Sequence, residues 1–302
     1  MDFIPPGTRI DFVGKRRYAL LLSLLLIGAG LLSLLLHGGP RYGIDFAGGT
    51  LVQVKFSKAV GLKEIRKALQ GLGFGDAVLQ PFGQEGEFLI RMKRTTGELR
   101  GLSARIEEAF RKQFGEGTFE IRRVEMVGPK VGRDLRVKGL KAIIFALVGI
   151  LLYISWRFEF RFALGAVAAL IHDVLVTVGI FSMTNREISL PVVAALLTIV
   201  GYSLNDTIVV YDRIRENMRK VQGVLEEVIN QSINETLSRT ILTSLTTLIV
   251  VVVLFLIGGG IVRDFAFALI VGVIVGTYSS IYIASPLVIS LERRTKRGRS
   301  RR

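Results

Sequence analysis

The sequence predicts an α-helical membrane protein with six transmembrane helices and one α+β domain inserted between the first two. Three observations lead there: half of the 302 residues are apolar, the mean hydropathy is +0.48, and the apolar residues gather in six long blocks. A helix rises about 1.5 Å per residue, so crossing roughly 30 Å of hydrocarbon takes about 20 mostly uncharged residues.

The blocks are Tyr18–Leu36, Ala142–Trp156, Phe162–Met183, Leu190–Tyr211, Thr240–Ile257 and Phe265–Leu291. None alternates as a barrel strand would, and a helix satisfies its own backbone in lipid. The second block is short, with Trp156, Arg157 and Phe158 read as an interfacial anchor at its end. The first is read as an uncleaved anchor, because His37–Pro40 offers no small-x-small cleavage site. The expected divisions are a tail 1–17, helix 1 at 18–36, the inserted domain 37–141, helices 2–6 at 142–291 and a basic tail 292–302.

Charge orients the blocks. The formal net charge is +15. The N-terminal tail, the links between blocks two and three and between four and five, and the C-terminal tail together carry 18 Lys and Arg, against Arg186 and Arg263 on the other side. By the positive-inside rule both termini are cytoplasmic. The 20 Lys and Arg of segment 37–141 do not oppose this, since long domains translocate largely regardless of charge. The basic tail is read as contacting anionic lipid headgroups, and nucleic acid is not an expected partner. Without cysteine there is no disulfide or thiolate metal site, and neither a metal nor a cofactor is expected.

The inserted segment opens with Gly43-Ile44-Asp45-Phe46-Ala47-Gly48-Gly49-Thr50. Leu51–Phe56 alternates as a strand, and Leu62, Ile65, Leu69 and Leu72 form a helical stripe. Ala77–Phe82 and Glu87–Lys93 read as strands joined through Gly83–Gly86, Leu99–Phe114 as a helix and Thr118–Val127 as a last strand. The order βαββαβ is the split ferredoxin-like arrangement. The glycines match neither a GxGxxG fingerprint nor a P-loop and are read as a tight turn into the first strand. Nothing here has catalytic spacing, so the chain is not expected to be an enzyme.

Ionisable residues within the blocks cost roughly 2.5–3.5 kcal/mol each on insertion scales and require an account. Asp206 lies in the fourth block, and Arg239 precedes the fifth. Thr198, Tyr202 and Asp206 form one stripe, and Thr236, Thr240 and Ser244 another. One reading is a permanent salt bridge that pins two helices. The preferred one is a protonatable carboxylate whose pairing with Arg239 follows its charge. Asp173 is a further candidate for the same interior, while its neighbour His172 points about 100° away and is equally well read as a structural hydrogen bond. Gly272, Gly276 and Ser280 offer a small-xxx-small face. The link 213–238, with Ile214, Met218, Val221, Leu225, Val228, Ile229 and Ile233, reads as an amphipathic helix lying on the membrane or against a neighbour.

These residues carry a resemblance. Gly43–Thr50 is similar to the glycine element shared by SecD and SecF, Gly201–Asn217 (GYSLNDTIVVYDRIREN) resembles the SecF fourth-helix signature, and Glu235–Thr240 (ETLSRT) the entry to its fifth helix. The resemblance implies a member of the SecF family within the resistance-nodulation-division superfamily. It would act with SecD in the bacterial inner membrane, beside SecYEG and possibly YajC, and use the proton-motive force to promote preprotein export. It implies a periplasmic inserted domain, with Asp206 as the proton-responsive carboxylate and Arg239 as its partner; Asn205, Tyr202, Thr240 and Asp173 are candidates for supporting polar positions from their place in the sequence. A membrane scaffold or binding subunit without ion coupling is the alternative. H⁺ and Na⁺ both remain open as the coupling ion.

Overall fold

The computed structural model describes residues 9–82, 86–92, 99–220 and 224–299. The Gly83–Gly86 link in part, Lys93, Val221, and the ends of both tails lie outside the described residues. The chain divides into two compact units, 1–41 with 141–302, and 42–140.

After the first long helix, α1 (Arg16–Leu36), the unit 42–140 begins with a single turn, α2 (Ile44–Ala47), which leads into β1 (Gly49–Phe56). Gly48 and Gly49 have φ of +74° and +124°, conformations that a side chain disfavours. A Cβ on Gly48 would also stand 3.0 Å from the Pro129 Cα. The tight turn expected of this element is thus real and is closed by the start of the helix that follows the domain. Arg136 there donates to the Phe46 carbonyl at 2.9 Å and stacks over the Tyr42 ring at 4.1 Å.

β1 is followed by α3 (Leu62–Gln70), β2 (Val78–Pro81), β3 (Glu87–Met92), α4 (Leu99–Phe114) and β4 (Phe119–Val127). At the start of α3, the Glu64 carboxylate accepts the Gly61 N–H at 3.1 Å. The four strands form an antiparallel sheet in the order β2-β3-β1-β4. Val52, Val54 and Phe56 alternate onto one face and pack against Ile65 and Leu69 of α3 and Leu102, Ile106 and Phe110 of α4. In β4 a bulge adds Arg122 opposite Gln53/Val54, so Ile121 and Val124 meet the same core although they stand three positions apart rather than two.

Among the described residues, six helical rods are long and apolar enough to cross a membrane. Besides α1 they are α5 (Pro129–Arg157), α6 (Phe160–Met183), α7 (Leu190–Lys220), α8 (Leu225–Ile257), and α9 (Gly260–Ser279) continued into α10 (Ser285–Arg299) through a π-helical turn at Ser280–Ala284. Pro286, with no N–H for the carbonyl of Tyr282, stands two residues past that turn, and the Ser285 hydroxyl between them closes on the Ser280 carbonyl at 2.9 Å.

Two boundaries differ from expectation. The second block gains its length at its start: α5 reaches back to Pro129, well placed at a first helical position, inside the stretch that pattern alone assigned to the inserted domain. The link 213–238 is not a separate amphipathic helix. It is the continuation of α7 to Lys220 and of α8 from Leu225. Its apolar residues Ile214, Ile229 and Ile233 are buried in the core of this unit with Phe12, Phe158 and Tyr211, and Val228 is buried as well. Asn217 donates to Ser232 at 3.0 Å and to Glu235 at 2.8 Å, binding the two extensions together. Asn230 accepts the Phe12 and Val13 N–H groups and donates to the Ile10 carbonyl, strapping the N-terminal segment onto α8.

Two helix pairs keep a constant register. α1 and α6 meet at Ser23/His172, Gly30/Gly179 and Ser33/Ser182, always 149 residues apart, so they run parallel. α7 meets the last rod at Ile199/Gly272, Ser203/Gly276, Thr207/Ser280 and Tyr211/Ala284, always 73 apart. The small-xxx-small face therefore packs inside the chain, where each small residue admits one larger side chain of α7. About half of the spans of α6, α7 and the last rod is buried, whereas α5 and α8 are almost bare.

Candidate functional site: carboxylates inside the helix bundle

Helical spacing turns Ser203, Asp206, Thr207 and Val210 to the inner side of α7, and all four are buried. Asp206 is 2% exposed. Its carboxylate accepts the Ser244 hydroxyl of α8 at 3.4 Å, and Ser244 lies 2.6 Å from the Thr277 hydroxyl of α9. The carboxylate is thus met by a hydroxyl of α8, which in turn contacts a hydroxyl of α9.

Arg239 does not close on it. The guanidinium is near enough to act on the carboxyl through space, but among the described residues no ion pair within 4.0 Å joins them. Ser244 lies beyond Arg239 on α8 and occupies Asp206 first, while the Arg239 residue is exposed. The permanent salt bridge considered from sequence is therefore absent from this arrangement.

The supporting candidates separate. The Tyr202 hydroxyl, one turn before Asp206, and the Thr240 hydroxyl, next to Arg239, are buried with no hydrogen-bond partner among the described residues. Asn205 is exposed, on a strip of α7 with Thr198 and Gly201. Asp173 lies within a different cluster. It is wholly buried, and its Oδ2 accepts Ser203 of α7 at 2.6 Å and Ser279 of α9 at 2.8 Å. His172, far from pointing away, lies 3.0 Å from Asp173 Oδ1 through Nδ1 and reaches Ser23 of α1 through Nε2 at 3.1 Å.

Sequence reasoning passed over Ser23, Tyr278 and Ser279. Single hydroxyl residues in apolar helices usually bond their own helix, so their presence alone signals little. The clue available was the density of hydroxyls in the last block, Thr277-Tyr278-Ser279-Ser280.

The sequence model described as "Protein export membrane protein SecD/SecF, C-terminal" matches residues 106–294, and "SecD/SecF GG Motif" matches residues 33–60. The chain is 51% identical over 301 residues to protein translocase subunit SecF of Magnetococcus marinus, covering 98% of this chain and 96% of that one. It is 48% identical to SecF of Vibrio alginolyticus, covering 93% and 90%, and 41% identical to SecF of Escherichia coli O157:H7, covering 93% and 87%. Among solved structures it is similar to SecDF of Thermus thermophilus, a translocon-associated membrane protein, with TM-score 0.85 and 39% identity. That match covers 95% of this chain and 39% of the SecDF chain. With six apolar helices and near-full-length likeness to these subunits, the chain is a multi-pass membrane protein that belongs to the SecF family of protein translocase subunits.

Proposed function

We propose that this chain is a non-enzymatic subunit that uses the proton-motive force, with SecD, to promote preprotein export through SecYEG, with YajC as a further associate. The observation that carries this reading is a buried carboxylate, Asp206, held by hydroxyls while the nearest guanidinium stands free of it. At an effective dielectric near 20, closing a unit charge pair to about 4 Å is worth about 4 kcal/mol. Loading a proton onto Asp206 removes that attraction and unloading restores it, enough to bias two helix arrangements about a thousandfold.

The exposed strip Thr198, Gly201 and Asn205 supports SecD as the partner. A polar strip within a membrane span is poorly suited to lipid and well suited to a second helix bundle of like polarity. The matched SecDF chain has more than half its length beyond the part this chain covers. The charge pattern supports an inner-membrane protein with both termini cytoplasmic, lipid headgroups at the basic tail, and unit 42–140 in the periplasm. The strand order supports a ferredoxin-like reading of that unit.

The test is Asp206→Asn in the assembled complex, measuring proton-gradient-driven completion of preprotein export in sodium-free vesicles. Loss of the gradient-dependent part is expected. Unchanged export at normal subunit levels overturns the coupling reading and leaves the scaffold alternative.

A further inference from the structure

His172 and Asp173 belong to a line of polar groups that ends on a backbone carbonyl. Asp173 Oδ1 lies 3.0 Å from His172 Nδ1, His172 Nε2 lies 3.1 Å from Ser23 Oγ, and Ser23 Oγ lies 3.0 Å from the Tyr278 hydroxyl. Tyr278 donates to the Ala19 carbonyl at 2.5 Å. Asp173, His172 and Ser23 are all buried.

Counting hydrogens along this line fixes its protonation. The single hydrogen of Tyr278 is committed to Ala19, so the Ser23–Tyr278 contact must be filled by the hydrogen of Ser23. Ser23 then has none left for His172, and Nε2 must be the donor. With Nε2 protonated, the Nδ1–Oδ1 contact needs a hydrogen of its own, from an imidazolium or from a carboxylic acid. Either completion holds one proton more than an ionised Asp173 beside a neutral imidazole. Without that proton, one contact sets two lone pairs against each other in a dry interior, an expensive arrangement. On the Oδ2 side Ser203 donates at 2.6 Å, and Ser279 lies 2.8 Å from Oδ2 and 3.1 Å from the Gly276 carbonyl; a proton placed on Oδ2 would leave the Nδ1–Oδ1 contact unfilled.

We infer that His172 and Asp173 form a proton-binding site, separate from Asp206, whose loaded form fastens α1 to α6 and α9 through Ser23 and Tyr278. Loading adds one proton to the pair and breaks no covalent bond; unloading frees the hydrogen of Ser23 to turn to Nε2 and releases its contact with Tyr278. The groups facing the pair from the packed elements are Ser23 on α1, Ser203 on α7, and Tyr278 and Ser279 on α9. Tyr282 packs behind Tyr278 with ring centroids 5.1 Å apart, and Asp206 on α7 bonds Ser244 on α8. The inference stands whether or not Asp206 couples to export.

The sequence has only two histidines, His37 and His172, which makes the site readable in the full chain. In lipid nanodiscs, ¹⁵N-histidine spectra and the carboxylic-acid infrared band should be followed from about pH 5 to 9. Expected at the acid end is a loaded pair, seen either as His172 protonated on both nitrogens or as an acid band lost in Asp173→Asn. It should empty toward the alkaline end. Tyr278→Phe lets Ser23 satisfy a neutral His172 and should weaken proton binding about tenfold, the worth of one hydrogen bond to a charged group. Tyr282→Phe should leave it unchanged. A neutral His172 beside an ionised Asp173 at every pH overturns the site, as does an unmoved midpoint in Tyr278→Phe. Asp206→Asn should leave this titration in place while export coupling is lost, so the two readings fail separately.

Discussion

Replacing Gly179 by Ala tests the seam between α1 and α6. The new Cβ would stand 2.9 Å from the Gly30 Cα, backbone that cannot rotate away. Carbon atoms settle at about 3.5–4.0 Å, so the helices must part by about 0.6–1.1 Å at this point. The flanking contacts, 3.1 Å between His172 and Ser23 and 2.8 Å between Ser33 and Ser182, then stretch toward or past the hydrogen-bond limit. Interhelical hydrogen bonds in membranes average about 0.6 kcal/mol, so two lost bonds cost about 1.2 kcal/mol, and looser packing along the seam brings the total to about 2 kcal/mol. Alanine recovers up to about 1 kcal/mol of helix propensity. Gly28→Ala supplies the control, because a Cβ there meets nothing within 4 Å and gains the propensity alone. Unfolding equilibria of the two variants in mixed micelles should therefore differ by about 2 kcal/mol, with Gly179→Ala the weaker. Stabilities equal within about 0.5 kcal/mol would refute the close crossing and the register drawn through it.

Two further outcomes are expected. Ile90→Ala, at a fully buried position in β3, should destabilise unit 42–140 by about 2–5 kcal/mol, while Leu62→Ala on the exposed side of α3 should change little; limited proteolysis of the full chain reads both. Asn230→Ala removes an acceptor for two backbone N–H groups and a donor to the Ile10 carbonyl, and should speed tryptic cleavage at Lys15 in inside-out vesicles several-fold without altering the domain's resistance.

Much of the architecture was legible because it follows from local periodicity. Helical period put Ile65 and Leu69 on one face of their helix, strand alternation put Val52, Val54 and Phe56 on one side of their strand, and those are the sides that the core buries. The link 213–238 was misread for the same reason. Its stripe of apolar residues reports that one face is buried but not against what, and Phe12, Phe158 and Val288 supply the cover from distant parts of the chain.

The site divides in the same way. Asp206 and Asp173 announced themselves as acids in apolar helices, and composition alone determined that each needs an account. Their hydroxyl partners Ser203, Ser244 and Ser279 come from 30, 38 and 106 residues away, and their identity depends on how α6, α7, α8 and α9 pack. Sequence determined the number of the spans, the inserted domain and the acids within apolar helices, because hydropathy and helical period are properties of contiguous residues. Only the tertiary structure decided that hydroxyls rather than Arg239 hold Asp206, and that His172 closes on Asp173, because a hydrogen bond answers to distance in space and not to separation along the chain.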